Sequence, residues 1–250
     1  MSKSPLKSAP LHNPGQSLDN EINRLMDDEV SKYALACVFT IVLALLEWWR
    51  WYVNQPPKPV IYSLLALIIV PICAYKLSRL RRQLKQLKLG RDGERAVGQY
   101  LEELRVKGYR ILHDIVGNGF NADHVVISPH GIFSIETKTI SKPEKGEAKV
   151  HVTGDGITLN GLMMDRNPLV QAKAAAAWVA DLLKESTGKV FQVRPVVVFP
   201  GWYVEGKHPE VWVLNPNALP TYIENVGVVL NPEDVQLATY HMARYIRTLQ

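Results

Sequence analysis

The stretch Asp123-His-Val-Val-Ile-Ser-Pro-His-Gly-Ile-Phe-Ser-Ile-Glu-Thr-Lys138 decides the fold. Two runs rich in β-branched and aromatic residues, 124–128 and 132–137, flank Ser-Pro-His-Gly, whose Pro and Gly favour a tight turn. The segment therefore reads as a β-hairpin. With Pro129 and His130 as the loop, Ser128 faces Gly131, and counting outward sets Asp123 opposite Glu136. Cross-strand partners point to one side of a sheet with Cβ atoms roughly 5 Å apart, where like charges repel. Lys138, two residues beyond Glu136, points to that side as well. Two carboxylates converging beside a cation describe a site for a hard divalent ion. The plainer alternative is a solvated, inert strand end. Against it stands the pattern around the pair: Val125, Ile127 and Ile132 make one face apolar, and Val126, Phe133 and Ile135 the other. Such a hairpin belongs in a sheet covered on both sides, where a carboxylate needs a reason.

The charge balance limits the partners. The 250 residues carry a net charge of +5, divided as 13 Lys/Arg against 6 Asp/Glu over residues 1–91 (+7) and 16 against 18 over residues 92–250 (−2). The basic excess thus lies outside the second part, which lacks the overall positive footprint of a nucleic-acid binder; only a local patch at Lys142, Lys145 and Lys149 remains. The only cysteines, Cys37 and Cys73, fall in apolar stretches, so no disulfide framework or Cys-based zinc site is expected.

Four regions emerge from the patterning. Residues 1–31 are polar, with an acidic cluster at Asp27, Asp28 and Glu29; they read as a disordered tail, with no signal peptide at the start. Residues 32–75 hold two apolar stretches, about 33–53 and 59–75. The first ends in Trp48, Trp49, Trp51 and Tyr52, as a helix does on reaching the headgroup layer. Glu47 and Arg50 fall at that end, where long side chains snorkel, and a two-pass membrane hairpin is expected over a buried hairpin of a soluble domain. The basic run 76–91 comes next, and the positive-inside rule places both termini and the later domain in the cytoplasm, at an inner or plasma membrane. Leu77, Leu80, Leu84 and Leu87 form an apolar seam within that run. It suits a short coiled coil joining two chains, an amphipathic helix on anionic lipid, or a solvated linker. Residues 92–250 read as an α/β domain. A helix over 92–106 carries Glu94 in its first turn, where the dipole favours a carboxylate. A strand near 109–116 precedes the hairpin, and a smaller hairpin spans 149–160. Asn167-Pro168 opens a helix carrying Gln171. Strands at 193–199 and 211–214 and a helix from Asn231-Pro232 complete the chain, the last with a packing stripe of Val235, Ala238, Tyr240, Met242 and Tyr245.

Gly93-Glu94, Asn121-Ala122-Asp123-His124, Gly131-Ile132-Phe133, Glu136-Thr137-Lys138, and Asn167-Pro168 with Gln171 together resemble the nuclease-related domain (NERD) family over about residues 90–200. That family is similar to the PD-(D/E)xK nucleases. The resemblance implies a restriction-endonuclease-like mixed sheet flanked by helices, here preceded by the two-helix hairpin. It implies Asp123 and Glu136 as ligands of Mg²⁺ (or Mn²⁺), Lys138 as the residue that orients or deprotonates the attacking water, and Glu94 and Gln171 as assisting groups. Ala122 stands where the superfamily name has Pro. The implied function is a membrane-anchored, metal-dependent nuclease acting on nucleic acid, DNA in preference to RNA. The alternative is a nucleic-acid-binding or signalling module of the same fold without turnover, assembled through residues 77–87.

Overall fold

A computed structural model describes residues 11–56, 58–117, 119–142, 147–154, 156–159, 162–164 and 167–248. The chain forms two compact units, residues 18–88 and residues 1–17 with 89–250.

The first unit is helical. α1 (Gln16–Arg24) runs into a π-helical turn, Leu25–Val30, and then α2 (Ser31–Tyr52); α3 (Pro59–Val106) begins in this unit. Residues 16–30 are therefore helical where a disordered tail was expected. The reason is apolar: Ile22 and Leu25 are buried against Leu84, with Val30, Leu80 and Leu87 packed around them. Leu80, Leu84 and Leu87 of the leucine seam thereby pack against Ile22 and Leu25 of the chain's own N-terminal helical segment. Among the described residues two helices are long and apolar enough to cross a membrane, and the apolar windows in both are almost wholly outward-facing, as with Leu35, Phe39 and Leu45 on α2 and Leu64, Leu67 and Ile68 on α3. Glu47 lies in the last turns of α2. It is buried, accepting the Lys58 N–H at 3.0 Å and pairing with Arg50 at 3.1 Å, so it closes the turn between the two helices.

In the second unit a five-stranded mixed sheet forms the centre. Its strands are β1 (Arg110–Val116), β2 (Asn121–Ser128), β3 (Gly131–Thr137), β7 (Val193–Val198) and β9 (Trp212–Leu214), in that spatial order. β1, β2 and β3 are antiparallel neighbours, whereas β7 and β9 add in parallel. A smaller sheet orders β6 (Leu162–Met163), β5 (Ile157–Leu159), β4 (Lys149–Val152) and β8 (Tyr203–Gly206).

Helices cover both faces of the central sheet. Val126, Phe133 and Ile135 pack with Val97, Leu101 and Leu104 of α3 and with Leu219 and Ile223 at α5 (Leu219–Glu224). Val125, Ile127 and Ile132 pack with Ala175, Val179 and Leu183 of α4 (Pro168–Thr187) and with Ala238, Met242 and Ile246 of α6 (Pro232–Thr248). These are the two faces read from the alternating pattern. The expected stripe on α6 needs one change, since Tyr240 is 61% exposed and Ile246 takes its place in the core.

Both later helices start where side-chain caps were read. Asn167 accepts the Leu169 N–H at 3.0 Å, and Asn231 that of Asp234 at 2.7 Å. The start expected at residue 92 is absent, because α3 is continuous from Pro59 to Val106. Glu94 therefore lies inside a helix, away from the N-terminal dipole.

Candidate active site

The hairpin sets the first part of the geometry. Ser128 pairs with Gly131, and the register runs to His124 with Ile135, so the next position outward sets Asp123 beside Glu136. The ladder stops there because the Asp123 carboxylate takes the strand's next donor, the Thr137 N–H, at 2.7 Å. That bond fixes one oxygen of Asp123. Lys138 is held at its backbone by an N–H bond to the Val198 carbonyl at 2.9 Å, and its Nζ lies 2.7 Å from Glu136 Oε1. The predicted same-side placement of Glu136 and Lys138 is thus present as an ion pair, with Glu136 buried.

α3 brings the third carboxylate. Gly93 permits the approach: a Cβ there would lie 1.6 Å from Thr139 Oγ1, just beyond the end of β3, so a larger residue would push helix and strand apart. The next residue, Glu94, is buried, and its carboxyl is pushed up to about 8. Burial is the main cause, followed by the negative charges of Asp114 and Glu136; Lys138 and the Gly15 N–H pull the other way. Asp123 is likewise raised well above its ordinary value, by burial and then by Glu136 and Glu94. It sits deep in the protein yet keeps a partial opening to solvent. Burial and mutual repulsion therefore keep protons on these groups, the response of crowded carboxylates to too little positive charge.

Gln171 is placed less tightly. It lies in the first turns of α4, and its Oε1 is buried without a hydrogen-bond partner; among the described residues no hydrogen bond joins it to the carboxylates. Thr137 Oγ1 and Thr139 Oγ1 are also buried and unpartnered. Such oxygens normally find a partner, and these three lie on or just beyond the elements that form the site.

Asp114 escaped the sequence reading. It is left out of the ladder with β2, which passes from His113–His124 to Ile115–Ala122, and its φ of 49° is in the left-handed region, which Asp tolerates better than most residues. The buried carboxylate accepts the Ser17 N–H at 2.6 Å, the Ser17 hydroxyl at 2.7 Å and the Asn121 amide at 3.2 Å. The segment 11–17 thus packs on the domain, with Pro14 seated where a side chain at Gly98 would be and the Gly15 N–H on Glu94. No local pattern announces this. A second buried pair stiffens the base of the site: His113 and His124 meet Nδ1 to Nδ1 at 2.8 Å, and His113 Nε2 lies 3.1 Å from Glu102. Burial lowers both imidazoles, His124 strongly, so they stay neutral. If His113 Nε2–H donates to Glu102, its Nδ1 must accept from His124, which leaves the buried His124 Nε2 as the unpartnered acceptor that is found.

Among the described residues no group of three or more His, Cys, Asp or Glu side chains is placed to hold a metal ion. Mg²⁺ does not require such a group, since it keeps several waters and commonly takes one or two protein carboxylates. The donors here are oxygens, burial and then neighbouring negative charge raise Glu94 and Asp123, and buried oxygens lack protein partners. These residues fit a hard divalent cation.

A mixed sheet with two carboxylates and a lysine at the ends of adjacent strands, approached by a glutamate from a flanking helix, defines a nuclease-like α/β domain. Residues 89–200 match the family model described as Nuclease-related domain (NERD), a PD-(D/E)xK-like family. Searches of curated proteins and of solved structures give no match to the chain.

Proposed function

We propose that the protein is a membrane-anchored, metal-dependent nuclease that hydrolyses phosphodiester bonds on the cytoplasmic side. The observation that carries this reading is the placement of Asp123, Glu136 and Lys138 by one hairpin register, with Glu94 close enough for its charge to raise Asp123.

Asp123 and Glu136 would hold Mg²⁺ or Mn²⁺, which when bound supplies charge neutralisation at the phosphoryl oxygens and a water nucleophile at neutral pH. The chain's own groups divide the remaining work. The Thr137 N–H fixes one oxygen of Asp123, leaving the other to act as donor. Lys138, held beside Glu136, would orient that water, or accept its proton once its own ammonium proton has been released. Glu94, whose carboxyl is pushed up to about 8 chiefly by burial, would in its ionised form add a carboxylate oxygen as a hydrogen-bond acceptor. Gln171 contributes an amide oxygen that has no other partner.

The membrane anchor rests on the two long apolar helices, and the cytoplasmic side on the basic run after the second. DNA is favoured over RNA through the family resemblance alone. The test is a cleavage assay of the purified full chain in detergent with single- and double-stranded DNA and with RNA, in Mg²⁺, Mn²⁺ or EDTA. Metal-dependent cleavage abolished by EDTA supports the reading. Cleavage of nothing under any metal hands the site to a binding or signalling module of the same fold.

A further inference from the structure

The helical unit holds a cleft that the nuclease reading leaves unused. Glu29 of the π-helical turn and Tyr33 of α2 line one side; Lys76, Arg79 and Arg82 of α3 line the other, and the volume is about 460 Å³. Pockets of roughly 300 Å³ and more hold small ligands. The three cations recur at every third residue and so form one stripe along α3. Against them stands one carboxylate, Glu29, which lies 3.8 Å from Lys32 and is offset by it. The cleft is therefore electropositive and made to hold an anion. Leu80 lines it too and packs with Ile22 and Leu25, so its wall is braced by buried contacts.

Its level along the hairpin identifies the anion. Lys76 comes directly after the apolar run that ends at Tyr75, and Tyr33 opens the apolar stretch of the other helix. The Arg79 guanidinium lies 5.9 Å from the Tyr75 ring. The cleft thus opens where both helices leave the apolar layer, at the end opposite Trp48, Trp49 and Trp51 and on the side the positive-inside rule makes cytoplasmic. Anionic phospholipids are concentrated at that surface, and basic pockets between membrane helices bind their headgroups. Two arginines offer planar forks that match phosphate oxygens. Gln83 and Gln86 add uncharged donors beside them, suited to headgroup hydroxyls.

We propose that this cleft binds the phosphate headgroup of an anionic phospholipid, a reading that rests on the membrane hairpin. The experiment uses the full chain reconstituted in nanodiscs of phosphatidylcholine with one-fifth phosphatidylglycerol, with retained lipid counted by native mass spectrometry after release into detergent. Wild type should keep phosphatidylglycerol in preference to phosphatidylcholine. Arg79→Gln/Arg82→Gln should weaken that retention by roughly fivefold per cation removed, whereas Lys85→Gln/Lys88→Gln, the same charge change outside the cleft, should leave it unchanged. Should the first double variant not fold, Arg82→Gln alone should show the single fivefold step.

Equal retention of both lipids, or equal loss in the two double variants, overturns the proposal. So does displacement of the lipid by millimolar inorganic phosphate, which would mark a site for free phosphate, or oligonucleotide binding that disappears in Arg79→Gln/Arg82→Gln while lipid retention persists. Failure of the hairpin reading looks different: the chain would then stay in solution without detergent and float with neither neutral nor anionic vesicles. A chain that floats equally with both, and keeps no anionic lipid, is anchored but lacks the headgroup site.

Discussion

Replacing Glu94 by Gln tests the electrostatics of the site most directly. The Glu94 carboxyl is raised from an ordinary 4.5 to about 8 in the folded protein, chiefly by burial and then by Asp114 and Glu136. Between those values the folded chain holds a proton that the unfolded chain has released, so stability falls as pH rises, by up to about 1.4 kcal/mol per pH unit from this group. The contribution is intact below pH 4.5 and is lost as pH climbs through the window to about 8. Across the whole window the loss approaches about 5 kcal/mol. Gln keeps the shape and an oxygen for the Gly15 N–H but carries no proton to lose. Thermal unfolding of the metal-free full chain should therefore give nearly equal midpoints for the two proteins near pH 5. By pH 9 the variant should stand roughly 10 °C higher, taking about 2–4 °C per kcal/mol for a domain of this size. Saturating Mg²⁺ should narrow the gap at pH 9, because positive charge favours the ionised carboxylate of the wild type. Wild type and variant losing stability in parallel from pH 5 to pH 9 would refute the account of Glu94 as a carboxyl kept protonated by its surroundings.

Lys138→Ala should preserve cation binding yet lower turnover by about 10² or more, whereas Glu136→Gln should weaken Mg²⁺ binding itself; calorimetric titration with Mg²⁺ beside the cleavage assay separates the two. Asp114→Ala removes the acceptor of two Ser17 bonds and one from Asn121, so it should cost roughly 1–3 kcal/mol and increase hydrogen exchange in residues 11–17. Unchanged exchange there would show that Asp114 does not hold that segment. Gly93→Ala places a Cβ 1.6 Å from Thr139 Oγ1 and should destabilise by about 1–3 kcal/mol, measured by denaturant unfolding, with Thr139→Gly restoring part of the loss. A reporter fused after Gln250 should register cytoplasmic and one inserted at Gln55 on the opposite side; a C-terminus on the far side would reverse the proposed topology.

Alternation and turn chemistry made the centre of the fold legible. The two-residue loop at Pro129-His130 fixes the register, and a register with period two fixes which side Glu136 and Lys138 share, so one local feature carries over to the site. Asn167 and Asn231 mark helix starts because their caps are local bonds. The hidden features depend on distant partners. α3 shows no break near residue 92, since the basic run is as good a helix former as residues 92–106. The role of Gly93 is a contact with Thr139, 46 residues away in sequence, and that of Asp114 a bond from Ser17. Residues 16–30 read as polar tail because their few apolar side chains, Ile22 and Leu25, have meaning only against Leu84. β8 and α5 went unread for a similar reason, being short elements set by pairing and packing more than by period.

The charges at the site bear on the choice between enzyme and binding module. Asp114, Asp123, Glu136 and Glu94 group four carboxyls with Lys138, whose ammonium is engaged with Glu136. A phosphodiester brings a further negative charge, so an empty site repels the group it would act on, and the domain's net charge of −2 over residues 92–250 adds no general attraction. Two routes relieve this. Protonation of Glu94 and Asp123 removes negative charge but also removes the anionic donors; a divalent cation removes it while placing positive charge where the phosphoryl oxygens must sit. A module that only bound nucleic acid would be better served by lysines than by buried carboxylates, whose raised protonation is a standing cost to the fold. On the proposed reading the substrate would enter with, or after, a cation, which an electrostatic docking surface would not require.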